Sequence, residues 1–209
     1  MHDDYYHRGR SDVLWKSQAL RTLPVLQGAT DMLVCGEDLG MIPSCVHPVM
    51  EELGIIGLRI QRMPSELGVE FDNVATYPYM TVASPSSHDT STLRGWYESD
   101  ADRRRRYFLK VLGGDDACPP EKCTPNIAET VILQHLNSPS VLAIFPMQDL
   151  MALSASFATR PADEETINDP TNPEHYWRYR MHVSLEKLNK DEGIKEKIKN
   201  LMLLSGRGA

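Results

Sequence analysis

Short apolar runs that alternate with helical patterns constrain the fold of this chain more than any other feature. Four runs have the length and composition of buried strands, and predicted helices or loops separate them. This alternation predicts a parallel sheet in an α/β fold. A closed (β/α)8 TIM barrel has eight strands, so about four parallel strands with flanking helices indicate half a barrel. The runs are residues 32–35, 57–60, 79–83 and 141–145.

Helix signals flank these runs. Thr124 followed by Pro125 is a strong helix start, because a threonine N-cap and a first-turn proline both favour that end. The last helix repeats apolar residues at helical spacing between 194 and 202. We expect one partial barrel domain within residues 1–209, with the half-barrel at about 28–190. A helix precedes it and an amphipathic helix follows it. Other predicted helices cover about 11–26, 43–54, 93–97 and 100–112.

Charge and hydropathy argue against several classes of partner. The 209 residues include 22 basic and 29 acidic side chains, for a net charge of −7. Nucleic acids and anionic membranes require a basic surface, so we expect neither as a partner. The arginine run 103–106 follows two aspartates and is typical of a solvated helix face. No apolar run approaches the roughly 18 residues of a spanning helix. Residues 2–6 lack the apolar segment of a secretory signal, which predicts a cytosolic protein.

The four cysteines fit neither a zinc site nor a disulfide scaffold. Nine residues separate Cys35 from Cys45, and four separate Cys118 from Cys123. Neither spacing is typical of a zinc ligand pair, and the chain is too long for a fold that depends on disulfides. We therefore expect reduced thiols and no metal.

Polar side chains follow the predicted strands at their carboxyl ends. Glu37 and Asp38 follow the first run, His88 and Asp89 the third, and Gln148 the fourth. In a barrel these ends all face one side, so we expect the groups to converge. Glycoside chemistry uses two carboxyl groups across the scissile bond, which makes Glu37 and Asp89 a candidate catalytic pair. Two alternatives stay open: Glu37 and Asp38 cap the next helix, or His88 and Asp89 belong to a metal-dependent phosphohydrolase.

Four motifs resemble, in order, those of the 4-α-glucanotransferases (amylomaltases, disproportionating enzymes; glycoside hydrolase family 77). The first, Gly-Glu-Asp-Leu-Gly at 36–40, is similar to the family's acid/base motif. The second, at 87–96, resembles its His-Asp segment and ends in Thr-Leu-Arg-Gly-Trp. The third is Pro-Met-Gln-Asp-Leu at 146–150. The fourth combines Asn-Asp-Pro at 168–170 with Tyr-Trp-Arg-Tyr-Arg at 176–180.

The resemblance implies a function, a fold and roles for particular residues. It implies the C-terminal half of the barrel and a retaining transfer of glucosyl or α-1,4-glucan units without metal or organic cofactor. Glu37 would be the general acid/base, and Asp89 would hold hydroxyls of the donor sugar and stabilise the transition state. His88 and Asn168 would bind the same sugar. Asp38 and Gln148 are weaker candidates for substrate binding.

The chain departs from the family at one essential point. The family's nucleophile lies in an Arg-x-Asp-His segment, and no such segment occurs in this sequence. We therefore expect the isolated chain to be inactive, with the N-terminal half of the same enzyme as a partner. The alternative is a truncated, non-catalytic form that binds glucans or other proteins. A second departure is Leu58-Arg59-Ile60, where the family usually has Leu-Gln-Phe.

Residues 35–43 are most similar to a plant cytosolic branch of the family. That branch uses maltose as glucosyl donor and a glycogen-like heteroglycan as acceptor. The resemblance therefore implies maltose and α-1,4-glucan or heteroglycan as substrates in starch and maltose metabolism, and a cytosolic location.

Overall fold

Four parallel strands form one sheet in the computed structural model, which describes residues 9–40, 42–66, 68–115 and 118–208. Their spatial order is their order along the chain, and Gly36, Gly57 and Thr81 lie side by side in register. The predicted α/β half-barrel architecture is therefore confirmed. The strands are β1 (Cys35–Gly36), β2 (Ile56–Ile60), β3 (Thr81–Ser84) and β4 (Leu142–Ala143).

The outer strands are shorter than predicted. Residues 32–34 were expected to be buried strand, but Met32 and Leu33 are exposed and β1 begins at Cys35. Within the described residues, β1 pairs only with β2, and β4 pairs only with β3. A strand with one neighbour lacks half of the hydrogen bonds that extend a ladder, which accounts for two-residue strands where the apolar runs are longer.

Helices flank the sheet at the predicted places. The helix at Pro125 begins as expected, because the Thr124 hydroxyl accepts a hydrogen bond from the amide of Ile127. Ser11 precedes the first helix, but its side chain makes no cap hydrogen bond. Within the described residues the helices are α1 (Asp12–Gly28), α2 (Val46–Leu53), α3 (Leu93–Glu98), α4 (Ala101–Lys110), α5 (Pro125–Leu136), α6 (Met147–Met151), α7 (Leu185–Lys190) and α8 (Glu192–Ser205), with 3-10 turns at Val74–Thr76 and Ala162–Glu165.

The main core lies among the helices from α3 onward, with Ala143 of β4 packed against it. Tyr107, Phe157 and Ile132 are fully buried in it, and α8 packs against α5. Arg207 closes this side by donating hydrogen bonds to the carbonyls of Leu136 and Ser138. This packed core supports the segments that follow the strands and carry the polar side chains.

The other predicted features can be located as well. In the arginine run, Arg103 binds the Trp96 carbonyl and Arg106 binds Glu70, so these two arginines have partners within the chain. No helix among the described residues is long and apolar enough to cross a membrane. The prediction about a secretory signal concerns residues that lie outside the described part of the chain.

Candidate active site

The loop after β3 brings three of the predicted site residues together. Asn168 Nδ2 donates a hydrogen bond to Asp89 Oδ1 at 2.6 Å, and its backbone amide donates to the His88 carbonyl at 3.1 Å. The His88 Nε2 atom lies 3.2 Å from Asp89 Oδ2. The His88 ring also faces the indole of Trp177, with 5.6 Å between the ring centroids. Two segments about eighty residues apart thus share one polar cluster with an aromatic wall.

This cluster opens onto a cleft of about 910 Å³. Asp89 and Asn168 lie at one side of it, and the 158–180 segment supplies most of the remainder. Its lining combines carboxylates and guanidinium groups with two tyrosines, which suits a ligand with many hydroxyl groups and apolar ring faces. The charged and aromatic lining residues are Arg160, Asp163, Glu164, Asp169, His175, Tyr176, Arg178, Tyr179 and Arg180.

A buried carboxylate holds the two ends of the loop that carries His88 and Asp89. Asp149 Oδ1 accepts a hydrogen bond from the Leu93 amide at 2.8 Å, and Oδ2 accepts one from the Ser86 hydroxyl. Asp149 is fully buried at the start of α6. Burial raises its pKa, and these two hydrogen bonds and the charge of Arg62 oppose that shift.

Arg62, two residues after the end of β2, binds the same loop. Its guanidinium donates to the Thr92 carbonyl at 3.2 Å, to the Thr90 hydroxyl at 3.1 Å and to the Ser91 carbonyl. Burial lowers the pKa of Arg62 to about 10, so the group stays protonated near neutral pH. Three fixed acceptors match the planar fork of donors that only arginine provides.

A buried ion pair fixes the segment that carries Asn168. Arg94 Nη1 donates to Glu165 Oε1 at 2.6 Å, and Nη2 donates to the Arg160 carbonyl at 3.1 Å. Gln148 is buried as well, and its amide donates to the Glu165 carbonyl at 3.3 Å. Burial raises the pKa of Glu165 to about 7, against the opposing effect of Arg94. Gln148 thus lies behind the cleft wall and holds it in place.

Glu37 lies at the same edge of the sheet but apart from the Asp89 cluster. It follows Gly36, whose register places it beside Gly57 and Thr81. Two strand spacings, about 10 Å, therefore separate β1 from β3. The Glu37 side chain is exposed, and its Oε1 atom accepts a hydrogen bond from the Leu39 amide at 2.7 Å. It does not line the 910 Å³ cleft.

Asp38 is buried and fastens the Glu37 segment to β2. Its Oδ1 accepts from the Leu58 amide at 2.6 Å, while Oδ2 accepts from Arg59 at 2.7 Å and contacts His47 Nε2 at 3.0 Å. The unusual Arg59 in the second strand therefore has a partner in Asp38. Neither Glu37 nor Asp38 caps α2, which begins only at Val46, so the capping alternative is wrong.

Sequence reasoning missed the residues that hold the site in place. Asp149 lies next to the predicted Gln148, and only the fold brings it to Ser86 and Leu93. Arg62 had no distinguishing pattern. No group of three or more histidine, cysteine, aspartate or glutamate side chains in the described ranges has the geometry of a metal site. The phosphohydrolase alternative therefore gains no support.

Comparisons with known proteins agree on one family. The family model described as 4-alpha-glucanotransferase matches residues 4–186. The chain is 58% identical to rice (Oryza sativa subsp. japonica) 4-alpha-glucanotransferase DPE2 over 98% of its own length and 21% of the rice protein. It is 32% identical to a Chlamydia pneumoniae 4-alpha-glucanotransferase, over 87% of this chain and 35% of that protein. It thus spans between a fifth and about a third of these relatives.

Solved structures show the same fold. An amylomaltase from Streptococcus agalactiae in complex with acarbose matches 86% of this chain and 33% of its own, with a TM-score of 0.63 at 24% identity. An amylomaltase from Corynebacterium glutamicum matches 81% of this chain and 28% of its own, with a TM-score of 0.55 at 17% identity.

Proposed function

Because the chain belongs to the 4-alpha-glucanotransferase family, we propose that it provides the acid/base and donor-sugar side of a glucanotransferase active site. The observation that carries the proposal is the cluster of Asp89, His88 and Asn168 at the cleft, with Trp177 beside it. A hydrogen-bonded carboxylate beside an imidazole and an aromatic face suits a bound sugar ring.

Glu37 is the proposed general acid/base. In the first step it donates a proton to the glycosidic oxygen of the donor, the bond to the leaving sugar breaks, and a carboxylate nucleophile bonds to the anomeric carbon. In the second step Glu37 takes a proton from the acceptor hydroxyl, which displaces the nucleophile with net retention. An exposed position next to a buried, tightly held Asp38 suits a group that must reach both sugars.

Asp89 is the proposed stabiliser of the distorted donor sugar. Its Oδ1 atom accepts the Asn168 amide, and its other oxygen faces His88. A carboxylate fixed in this way accepts hydrogen bonds from sugar hydroxyls and favours the positive charge of the transition state. Asn168 and His88 are proposed to bind the same sugar.

Asp38 and Gln148 have indirect roles in this proposal. Both were expected to contact substrate, and both are buried with polar atoms bound to other parts of the protein. Asp38 holds the Glu37 segment on β2, and Gln148 holds the segment before Asn168. Their contribution is therefore to place Glu37 and Asn168.

The nucleophile is proposed to come from outside these 209 residues. The sequence contains no Arg-x-Asp-His segment, and the described sheet has four strands, half of a barrel. The proposed partner is a polypeptide segment with the remaining barrel strands, in the same or another chain, which would pair with the outer edges of β1 and β4. Glucosyl transfer requires that assembly.

The proposed donor is maltose and the proposed acceptor is an α-1,4-glucan or heteroglycan, in the cytosol of a plant cell. The 58% identity to the rice relative supports this assignment. A second function, a glucan-binding module without catalysis, is favoured by the missing nucleophile segment.

A chimera tests the catalytic proposal. The 204 matching residues of the rice relative would be replaced by those of this chain, and glucose release from maltose measured with glycogen as acceptor. We expect turnover in the chimera, and a loss of more than about 10²-fold with Glu37→Gln or Asp89→Asn. Glu129→Gln is the matched control, because Glu129 makes a surface ion pair with Lys197.

Assays of the isolated 209-residue chain and of the chimera distinguish glucosyl transfer from glucan binding without catalysis. Turnover by the chain alone that Glu37→Gln abolishes would refute an external nucleophile. A chimera that binds glycogen but never turns over maltose would leave the glucan-binding module as the function.

A further inference from the structure

A single side chain connects both ends of the loop that carries the proposed sugar-binding residues. Asp149 accepts a hydrogen bond from the Ser86 hydroxyl, at the start of the 86–93 loop, and one from the Leu93 amide, at its end. Asp149 belongs to α6, which follows β4, whereas the loop follows β3. The distance between the two ends of the loop is therefore set by a carboxylate from the neighbouring unit of the barrel.

The middle of the loop is held by internal contacts and by Arg62. The Ser87 amide donates to the Thr90 hydroxyl at 2.9 Å, and Arg62 donates to that hydroxyl at 3.1 Å. The Asp89 amide in turn donates to the Ser87 hydroxyl at 3.3 Å. With its ends on Asp149 and its middle on Arg62, the loop presents the side chains of His88 and Asp89 outward.

The contacts of Asp149 distinguish it from an ordinary buried ion pair. Both of its oxygens bind the loop, and the two donors are a hydroxyl and a backbone amide, not cationic side chains. Burying a carboxylate is costly unless hydrogen bonds compensate for the lost water. If the residue only filled space, an apolar side chain would do so without that cost. We therefore infer that the carboxylate serves to fix the geometry of the loop.

We propose that Asp149 is a positioning residue of the sugar site, which holds the 86–93 loop so that Asp89 and His88 meet the donor sugar in the correct geometry. Asp149 is fully buried and is not among the residues that line the cleft. This inference rests on the sugar-binding roles given above to Asp89 and His88.

Two substitutions separate geometry from charge. In Asp149→Asn the amide oxygen still accepts the Leu93 amide, and the new NH₂ group donates to the Ser86 oxygen once that hydroxyl rotates. In Asp149→Ala both anchors are lost. Asp100→Ala is the matched control, because Asp100 also accepts a backbone amide, from Arg103, but at the start of α4 and outside the cleft lining.

The measurements use the 209-residue chain itself. Hydrogen exchange at the Leu93 amide measures whether its hydrogen bond to Asp149 is kept. The dissociation constant for acarbose measures the geometry of the sugar site. Acarbose is the compound bound in the S. agalactiae structure. We expect Asp149→Ala to accelerate Leu93 exchange and to weaken acarbose binding by about tenfold or more, because a misplaced Asp89 loses a charge-assisted hydrogen bond. Asp149→Asn should keep both values within about threefold, and Asp100→Ala should leave acarbose binding unchanged.

The outcomes decide the inference. If Asp149→Ala lowered the melting temperature but left acarbose affinity and Leu93 exchange in the folded protein unchanged, Asp149 would be merely structural and the proposal overturned. If the unaltered chain bound no acarbose, the proposed sugar site would fail. In that case the exchange rates would test only whether Asp149 anchors the loop. Leu93 exchange that is faster in Asp149→Ala, but not in Asp149→Asn, than in the unaltered chain would support the anchor. Equal Leu93 exchange rates in all three proteins would refute it.

Discussion

At the residue scale, buried carboxylates hold the segments that follow the strands. Asp38 joins the segment after β1 to β2 through Leu58 and Arg59, and to α2 through His47. Gly57 makes this arrangement possible, because a Cβ atom there would lie 2.6 Å from the Asp38 Oδ2 atom. The proposed acid/base segment therefore depends on the absence of one methyl group in β2.

Gly57→Ala should destabilise the protein by about 1–3 kcal/mol, since the methyl group must displace Asp38 and Arg59. Urea unfolding of the variant measures the change. Gly28→Ala is the control, because outside its own turn of α1 no atom lies within 4 Å of a Cβ at that position. It should leave the free energy of unfolding unchanged or raise it by less than about 1 kcal/mol. Equal stability of the two variants would show that the Asp38 contacts are not rigid.

The buried Glu165 should make stability depend on pH. Its pKa is raised to about 7 in the folded protein, whereas an unfolded glutamate titrates near 4.3. Between these values the folded state keeps a proton that the unfolded chain has released, so this contribution to stability falls as pH rises from about 5 to 7 and is largest below that window.

Comparison with Glu165→Gln isolates this effect, because His135, whose pKa burial lowers to about 4, titrates equally in both proteins. We expect the free energy of unfolding of the unaltered chain, relative to Glu165→Gln, to increase as pH is lowered from 8 to 5. A constant difference across that range would contradict a raised pKa for Glu165.

At the scale of elements, the helices differ in whether a side chain caps the first turn. The Thr124 hydroxyl accepts the Ile127 amide, and α5 packs its buried face into the main core. Ser11 has the right residue type before α1 but makes no such bond, and α1 is mostly exposed. A serine or threonine before a helix therefore contributes differently to the stability of these two helices.

Thr124→Ala should lower the free energy of unfolding by about 1 kcal/mol, because an amide at the start of a core helix loses its acceptor. Ser11→Ala should change it by less than about 0.5 kcal/mol. Thermal and urea unfolding of both variants provide the test, and an equal loss in each would mean that Ser11 caps its helix in solution.

At the scale of the whole molecule, the sheet has two outer edges, and apolar side chains next to it are exposed. Met80 is 39% and Ile144 55% exposed, in or beside the segments that form β3 and β4. Parallel sheets in barrels are normally covered on both faces, and unpaired edges bind other strands. The isolated chain should therefore associate with itself.

Sedimentation of the purified chain measures that association. We expect dimers or larger species, and a shift toward monomer with Met80→Lys and Ile144→Lys. Leu204→Lys on α8 also removes an exposed apolar side chain, 72% exposed but distant in sequence from the strands, and should have little effect. A monodisperse monomer with a cooperative melt would disprove this expectation.

The sequence by itself determined the local elements and the family. Hydrophobic periodicity and cap residues are local signals, so they located the strands and most helices to within a few residues, and four ordered motifs indicated a glucanotransferase half-barrel. What only the tertiary structure decided is which side chains meet. The contacts of Asp149 with Ser86 and Leu93, of Arg94 with Glu165, and of Asp38 with Arg59 join residues that are distant along the chain. Burial and the packing of strands, helices and loops from distant parts of the chain select these pairs, and no local pattern encodes either.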